Sequence, residues 1–213
     1  MKRITLFALF GVAVCRLFAQ QDTVASAHQF VDMGLPSGTK WATCNIGATK
    51  PEEYGWYVMW GSIEDCSNIT CSKITCKTYG MELEDISGDK NFDVATAVLG
   101  SGYRMPTIKD FRELSDNSYK MWATINGVNG YLIRSKINGN SIFLPAAGYR
   151  NGNTFFQRNT MGWYWDSCYS IYKLYQSSFC MFSVGMFSPP SAADDEKSGH
   201  YPRFYAFSVR AVQ

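Results

Sequence analysis

The segment FVDMGLPSGTKWATCNIGATKPEEYG, residues 30–55, carries the first strong structural signal of this chain. Two short apolar runs, FVDMGL and KWATC, are separated by the turn-forming sequence PSGT at 36–39. Apolar runs on either side of such a turn are typical of a β-hairpin. We therefore predict that the folded domain begins near Phe30 with two antiparallel strands.

The next segments alternate between short strands, a loop and helices. YGWYVMWG at 54–61 predicts a short aromatic strand, and the polar residues 62–91 predict a long surface excursion. Asp93 is suited to cap a helix over 94–99 that ends at Gly100.

A second helix is predicted within TIKDFRELSD, residues 107–116. Thr107 and Asp110 have the spacing of a capping box, although the partner is Asp rather than Glu. Phe111 and Leu114 share one helical face, which we expect to point inward.

The rest of the chain has a β pattern. GYLIRS and NSIFLPAAGY flank Asn138-Gly139, a strong tight-turn signal, and short apolar runs recur to the C-terminus. The predicted class is α+β, with irregular antiparallel sheets, two short helices and a large loop content.

Composition excludes some classes of protein. The chain has 213 residues, 46% hydrophobic and 18% charged, which is enough to build a core and argues against disorder. A formal net charge of +2 is too small for a nucleic-acid surface.

The N-terminus resembles an export signal. Lys2 and Arg3 precede an apolar run that is too short to span a membrane well, and Ala19 offers a cleavage site. We expect a signal peptide at 1–19, a linker at 20–29 and one domain at 30–213, which places the protein in the periplasm, at the cell surface or outside the cell. Cys15 leaves a lipoprotein form open.

Six cysteines remain beyond the expected leader, and an oxidising compartment would favour disulfides among them. Cys66, Cys71 and Cys76 recur every five residues, which is not the spacing of a zinc site. A local disulfide or free thiols in a loop are the simpler interpretations of this repeat.

Four segments together resemble one protein family. They are residues 30–55, GSGYRMPTIKDFREL (100–114), INGNSIFLPAAGYR (137–150) and FYAFSVRAV (204–212). The chain resembles the Fibrobacter succinogenes major paralogous domain family, which is similar to the C-type-lectin-like fold and to the domain of formylglycine-generating enzymes. The resemblance implies that the N- and C-terminal strands lie close together and that Arg104 and Arg210 are structural.

Few residues support catalysis. The histidines are His28 and His200, and neither neighbours a nucleophile in sequence. The G-x-S-x-G, P-loop and H-E-x-x-H patterns are absent. Cys168 and Cys180 lie where formylglycine-generating enzymes have their reactive cysteines, but the surrounding sequence differs, so we expect no redox catalysis and no enzyme.

Cofactor and metal signals are also weak. The E-P-N, Q-P-D and W-N-D motifs by which C-type lectins bind calcium do not occur. Asp85, Asp89 and Asp93 could hold a hard cation, but a solvated loop with Asp93 as a helix cap is the simpler interpretation. We predict no metal and no cofactor.

The C-terminal third is rich in aromatic residues among Ser, Cys, Asp and Pro, a composition typical of recognition surfaces. It departs from the family pattern at WYWDSC (163–168) and at Ala206, beside an unchanged SVRAV ending. This arrangement resembles C-type-lectin-like proteins diversified by retroelements. The candidate ligand-binding residues are Asp166, Cys168, Tyr169, Tyr172, Tyr175, Tyr201, Phe204 and Tyr205.

The sequence therefore predicts a non-catalytic module that binds an extracellular protein or glycan, with no nucleic-acid partner and no membrane span. A structural or adhesive subunit of a surface assembly is the alternative, and such a subunit should leave a strand edge unpaired. A formylglycine-generating-enzyme-like oxidase is the third interpretation, and it requires a close, buried Cys168–Cys180 pair beside a cleft.

Overall fold

A computed structural model of the chain describes residues 29–169, 174–189 and 200–213, and of Tyr169 only the backbone. The predicted leader and nearly all of the predicted linker lie outside these ranges. The described chain forms short, mostly antiparallel sheets with two α-helices, which confirms the α+β class.

The helices are α1 (Val94–Leu99), α2 (Ile108–Asp116) and one 3-10 helix (Cys66–Asn68). The strands are β1 (Phe30–Asp32), β2 (Lys40–Ala42), β3 (Val58–Met59), β4 (Ser118–Ile125), β5 (Val128–Ser135), β6 (Ser141–Pro145), β7 (Tyr149–Asn151), β8 (Thr154–Phe156), β9 (Met161–Tyr169), β10 (Gln176–Ser183), β11 (Met186–Ser188), β12 (Tyr201–Pro202) and β13 (Ala206–Phe207).

The strands form four small sheets in the described residues. The hairpin β1–β2 stands alone, and β4–β5–β6 form a meander. A third sheet has the order β3–β13–β7–β8, and in the fourth β10 pairs with β9, β11 and β12. Strand β13 therefore brings the C-terminus between two elements that are distant from it in sequence.

The predicted hairpins and helix caps are confirmed. Phe30 pairs with Ala42 in the first hairpin, and Gly139 turns the β5–β6 connection with φ of 79°. Asp93 accepts the first backbone amides of α1, and Thr107 with Asp110 forms a capping box on α2.

The two ends of the domain lie side by side, as the family resemblance implies. Trp41 of β2 and Arg104 each form an antiparallel bridge with Val212. Lys40 and Gln213 exchange backbone hydrogen bonds of 3.1 and 3.0 Å. The first hairpin is thus held against residues 212 and 213 by backbone pairing.

Arg104 and Arg210 are both structural. Arg210 is fully buried and donates to Asn45 Oδ1 at 2.9 Å and to the carbonyls of Ala42 and Phe143 at 2.9 and 2.8 Å. Arg104 forms a salt bridge of 2.6 Å with Asp110. Arg210 therefore joins the first hairpin, the following loop and β6 at one buried point.

Residues 62–91 form the long excursion that their polarity predicts. Apart from the 3-10 helix and a single bridge at Cys71, these residues form turns and irregular backbone. Arg203, fully buried, donates to the carbonyls of Thr78 and Met81 at 2.9 and 2.8 Å and to Ser177 Oγ at 3.2 Å. Arg203 thus connects the excursion to β10 through hydrogen bonds.

The sequence analysis did not predict strand β4. Tyr119 and Met121 are 65% and 59% exposed, because that face of the strand points away from the core, while Trp122 packs inward against Tyr131. Since both faces of the strand carry large apolar side chains, the polar–apolar alternation that marks a strand is weak.

Candidate functional site

A continuous row of aromatic rings runs along one part of the surface. We call it the aromatic strip. In order of contact, its members are Phe156, Tyr149, Tyr205, Phe204, Tyr79 and Tyr175. The two ends, Phe156 and Tyr175, are 39% and 49% exposed, and the four inner rings are partly buried.

Three of the rings are stacked by strand register. Tyr149 of β7 lies directly opposite Phe156 of β8, so the two side chains share one face of the hairpin. Tyr205 immediately precedes β13, the other neighbour of β7. The Tyr149 ring lies between the other two. Its centroid is 5.2 Å from that of Phe156 and 5.6 Å from that of Tyr205, and the interplanar angles are only 18° and 7°.

The other half of the strip joins the excursion to the C-terminal sheet. Phe204 meets Tyr205 and Tyr79 edge to face, with centroids 5.1 and 5.7 Å apart, and Tyr79 contacts Tyr175 at 4.8 Å. Backbone bonds hold this arrangement, because Gly80 donates to Leu174 and Arg203 donates to Tyr175. Edge-to-face and offset contacts are the favourable geometries for aromatic pairs.

A second aromatic group lies on the opposite face of the β7–β8 hairpin from Phe156. The Arg158 guanidinium carbon lies 3.4 Å from the ring centroid of Phe155, which is 39% exposed, and Arg158 donates to Tyr57 Oη at 2.9 Å. Gln157 and Asn159 adopt positive φ values of 56° and 63° beside it. The protein therefore presents a cation on a partly exposed ring outside the strip.

The predicted site residues fall into separate groups. Tyr175, Phe204 and Tyr205 belong to the strip, while Tyr172 and the Tyr169 side chain lie outside the described residues. Tyr201 is only partly exposed and packs against the core, with its ring 4.8 Å from Trp163. Tyr201 is therefore less exposed than predicted, but its ring lies 5.3 Å from that of Tyr205, so it borders the strip and is partly buried like the inner rings.

The structure also corrects the placement of Asp166. This residue is fully buried, accepts from the Cys168 amide at 2.9 Å and from Ser178 Oγ at 2.5 Å, and does not reach the surface. Burial raises the pKa of its carboxyl group to about 7, and the nearby Asp85 carboxylate adds to the shift. Asp166 is therefore a polar group of the interior rather than a ligand contact.

Neither C-terminal cysteine has an activated thiol. Cys168 is half-buried and Cys180 is fully buried, and both are free. Burial raises the pKa of Cys168 to about 12 and raises that of Cys180 well above its usual range, with the Asp166 carboxylate acting in the same direction. Both thiols therefore stay protonated at neutral pH.

A polar cleft of about 520 Å³ lies elsewhere, between the first hairpin and the start of α2. Its lining includes Arg104, Asp110, Thr107, Lys109 and Glu113. The Asp110 carboxylate is already occupied by Arg104 and Thr107. Burial alone would raise its pKa, but these hydrogen bonds outweigh burial and lower it. Asp110 is therefore a poor general base at neutral pH.

Sequence reasoning missed half of the strip. Tyr79, Tyr149 and Phe156 precede Trp163, where the aromatic-rich stretch on which it concentrated begins. One local signal was available, since NTFF (153–156) follows a tight turn with its apolar residues in succession rather than in alternation. Successive apolar residues in a short hairpin strand leave at least one of them facing solvent.

Comparisons with family models, curated proteins and solved structures find no match to this chain. Among the described residues, no three His, Cys, Asp or Glu side chains are grouped closely enough to hold a metal ion, and Asp93 caps α1. Within the same part of the chain, neither α-helix has the length and apolarity needed to cross a membrane.

Proposed function

We propose that this protein is an exported, non-catalytic recognition module of C-type-lectin-like fold that binds a protein or a glycan through the aromatic strip. The observation that carries the proposal is the unbroken contact of six rings along a partly exposed surface. Rigid rings supply large contact areas at low entropic cost, and tyrosine hydroxyls add hydrogen bonds.

The chemistry of the other candidate groups supports a non-catalytic role. The two C-terminal thiols have raised pKa values, and the Asp110 carboxylate in the polar cleft is held by an arginine and a threonine. None of these groups is poised to exchange a proton or attack a substrate at neutral pH. The pairing of the first hairpin with residues 212–213 and the irregular sheets support the C-type-lectin-like assignment.

The two exposed ends of the strip provide the test. Replacing Phe156 or Tyr175 with alanine is expected to weaken ligand capture at least about tenfold, because truncating an aromatic anchor typically costs about 2 kcal/mol. The free energy of unfolding should fall by less than about 1 kcal/mol, since both side chains are partly exposed. Binding is measured on immobilised β-glucan, xylan and mucin, and stability by urea denaturation.

Tyr119→Ala is the matched control, because Tyr119 is an exposed tyrosine on β4, outside the strip. It should leave binding unchanged. If both strip variants bind a ligand as strongly as the parent protein does, the binding face lies elsewhere.

A second candidate, an assembly subunit, is favoured by strand β4. Among the described residues, this eight-residue strand pairs only with β5, so its other edge is open. An open, apolar strand edge is a template for pairing with another chain. Tyr119 and Met121 beside this edge are both well exposed.

The assembly alternative predicts concentration-dependent association of the parent protein. Met121→Lys should abolish it, because a charge on an edge strand disfavours strand addition. Ile74→Lys, the same type of change at an exposed residue of the excursion, should not. Sedimentation velocity over a wide concentration range measures the effect. If the parent protein stays monomeric at every concentration, the result contradicts the assembly role.

A further inference from the structure

The β7–β8 hairpin carries an aromatic ring that contacts two arginines, on the face opposite Phe156. Arg150 of β7 and Phe155 of β8 are cross-strand partners, so their side chains share this face. The guanidinium carbon of Arg150 lies 5.5 Å from the Phe155 ring centroid, and that of Arg158 lies 3.4 Å from it. Both distances are typical of cation–π contacts. Two cations therefore meet at one ring, which is 39% exposed.

The Arg158 side chain is held in one orientation. Its Nε donates to Tyr57 Oη at 2.9 Å, and Tyr57 Oη donates to the Ala147 carbonyl at 2.5 Å. Its guanidinium carbon also lies 4.9 Å from the Tyr57 ring centroid and 5.4 Å from that of Tyr54. An exposed arginine normally loses rotamer freedom when it binds a ligand. Here much of that loss has already occurred on folding, because the side chain packs on three rings.

The turn that carries Arg158 is also fixed. Gln157 and Asn159 have positive φ values of 56° and 63°, a conformation that residues other than glycine seldom adopt. The Asn159 amide donates to the Ala146 carbonyl at 2.7 Å, and its Oδ1 accepts from the Asn129 amide at 2.6 Å. These hydrogen bonds hold the turn, so Arg158 is presented to solvent at a defined position.

Neither arginine has a carboxylate partner. Among the described residues, no Asp or Glu forms a salt bridge with Arg150 or Arg158. Arg150 is only 4% exposed, and its Nε and Nη1 have no hydrogen-bond partner in that part of the chain. A buried guanidinium without a counter-ion is unfavourable. An anion bound at the Phe155 ring would stabilise both charges, because opposite charges attract strongly where water is partly excluded.

The acidic residues of the neighbouring segments are bound to other groups. Glu53 accepts from the Thr49 amide at 2.8 Å, and Asp65 accepts from the Tyr57 amide at 3.0 Å. Glu52 is hydrogen-bonded to the β4–β5 turn. The surface around the ring therefore has a positive potential that the protein itself does not neutralise, and such a surface attracts anions.

A polar group on the same face favours a sugar over a peptide. Asn153 lies in the turn of the hairpin, and its Oδ1 accepts from Thr70 Oγ1 at 3.1 Å and from Arg150 Nη2 at 3.3 Å. Since both contacts use the amide oxygen, the Nδ2 protons remain available to a ligand. An amide donor, a partly exposed ring and a cation match the hydroxyl groups, the apolar ring face and the carboxylate of a uronic acid. An acidic peptide offers the carboxylates without the ring face.

From this arrangement we propose that Arg158, Phe155 and Asn153 form a second binding site, which takes a uronic-acid residue of an acidic polysaccharide. Nη1 and Nη2 of Arg158 bind the two carboxylate oxygens, because Nε already donates to Tyr57. The site is separate from the aromatic strip, and the proposal does not depend on binding by the strip.

The test measures the affinity of the full chain for oligogalacturonate and for its methyl ester, by isothermal titration calorimetry at low salt. The free acid should bind at least about tenfold more tightly, since esterification removes the charge and keeps the sugar. Arg158→Gln should weaken binding of the acid at least about tenfold. Arg158→Lys should recover only part of the affinity, because lysine keeps the charge but not the two parallel donors.

Arg134→Gln is the matched control, because it removes the same charge from an exposed arginine on β5. It should leave the affinity unchanged, and urea denaturation shows whether Arg158→Gln is as stable as this control. Phe156→Ala, a change in the strip, should also retain the affinity for oligogalacturonate. A strip variant that loses this affinity would assign the acid to the strip and overturn the second site.

Polyglutamate of similar length distinguishes a glycan from an acidic peptide. It should bind at least about tenfold more weakly than oligogalacturonate, because it lacks the sugar ring and hydroxyl groups. Tighter binding of polyglutamate, equal binding of the methyl ester, or full affinity of a folded Arg158→Gln variant would contradict the proposal. So would a parent protein that does not bind oligogalacturonate, whatever ligand the strip binds.

Discussion

Replacing Arg210 with alanine is expected to lower the free energy of unfolding by about 3–5 kcal/mol, the largest stability effect that we predict for a single residue. The change leaves the carbonyls of Ala42 and Phe143 and the Asn45 side chain without their donor inside the protein. A buried acceptor that loses its partner costs about 1–3 kcal/mol. Urea denaturation followed by tryptophan fluorescence measures the loss.

Arg134→Ala is the matched control, because Arg134 is exposed and makes one side-chain bond, to the carbonyl of Gly139 at 3.2 Å. It should change stability by less than about 1 kcal/mol. If Arg210→Ala and Arg134→Ala had similar free energies of unfolding, the contact between the first hairpin and β6 would not depend on the Arg210 guanidinium.

The second large effect concerns pH. Burial raises the pKa of Asp166 from 3.8 to about 7 in the folded protein. The folded state therefore keeps a proton that the unfolded state loses, so stability should decrease as pH rises from about 4 to about 7 and then level off. The difference between the two pKa values corresponds to about 4 kcal/mol.

Asp166→Asn should remove this pH dependence, since an amide oxygen can still accept from Cys168 and Ser178 but carries no charge. The variant should be more stable than the parent at pH 7.5 and similar to it at pH 4. Chemical denaturation at several pH values within that range measures the difference. If the free energy of unfolding depends on pH in the same way for the parent and the variant, Asp166 ionises in the folded protein without a large loss of stability.

Asp110→Asn provides a contrast of opposite sign. Hydrogen bonds from Arg104 and Thr107 lower the pKa of Asp110 despite its burial. Its ionised form therefore contributes stability above about pH 4, and the contribution disappears as pH falls through the folded-state pKa. Replacing Asp110 should destabilise the protein at neutral pH and have less effect in acid.

The elements predicted well are those whose signals are local. The Asp93 and Thr107 caps and the Asn138-Gly139 turn each depend on a few consecutive residues, and the structure contains all three. Strand β4 was missed because its outward face carries Tyr119 and Met121, which removes the alternation expected of a half-buried strand.

The candidate site was only partly predictable. The aromatic composition of the C-terminal third identified Tyr175, Phe204 and Tyr205, which lie in the strip. It also selected Asp166, which the fold buries completely, and Tyr201, which is partly buried and contacts Tyr205 of the strip. Composition marks a region, but exposure depends on which strands pair, and strands β7, β12 and β13 pair with partners far away in sequence.

The sequence by itself determined the α+β class, the first hairpin and both helix caps. The tertiary structure alone decided that rings as far apart in the chain as Tyr79, Tyr149 and Tyr205 form one strip. It also decided that the buried Arg150 side chain keeps two nitrogens without a hydrogen-bond partner among the described residues. The physical reason is that turns and caps form within a few residues, whereas a surface and a buried charge acquire their neighbours only when distant segments pack together.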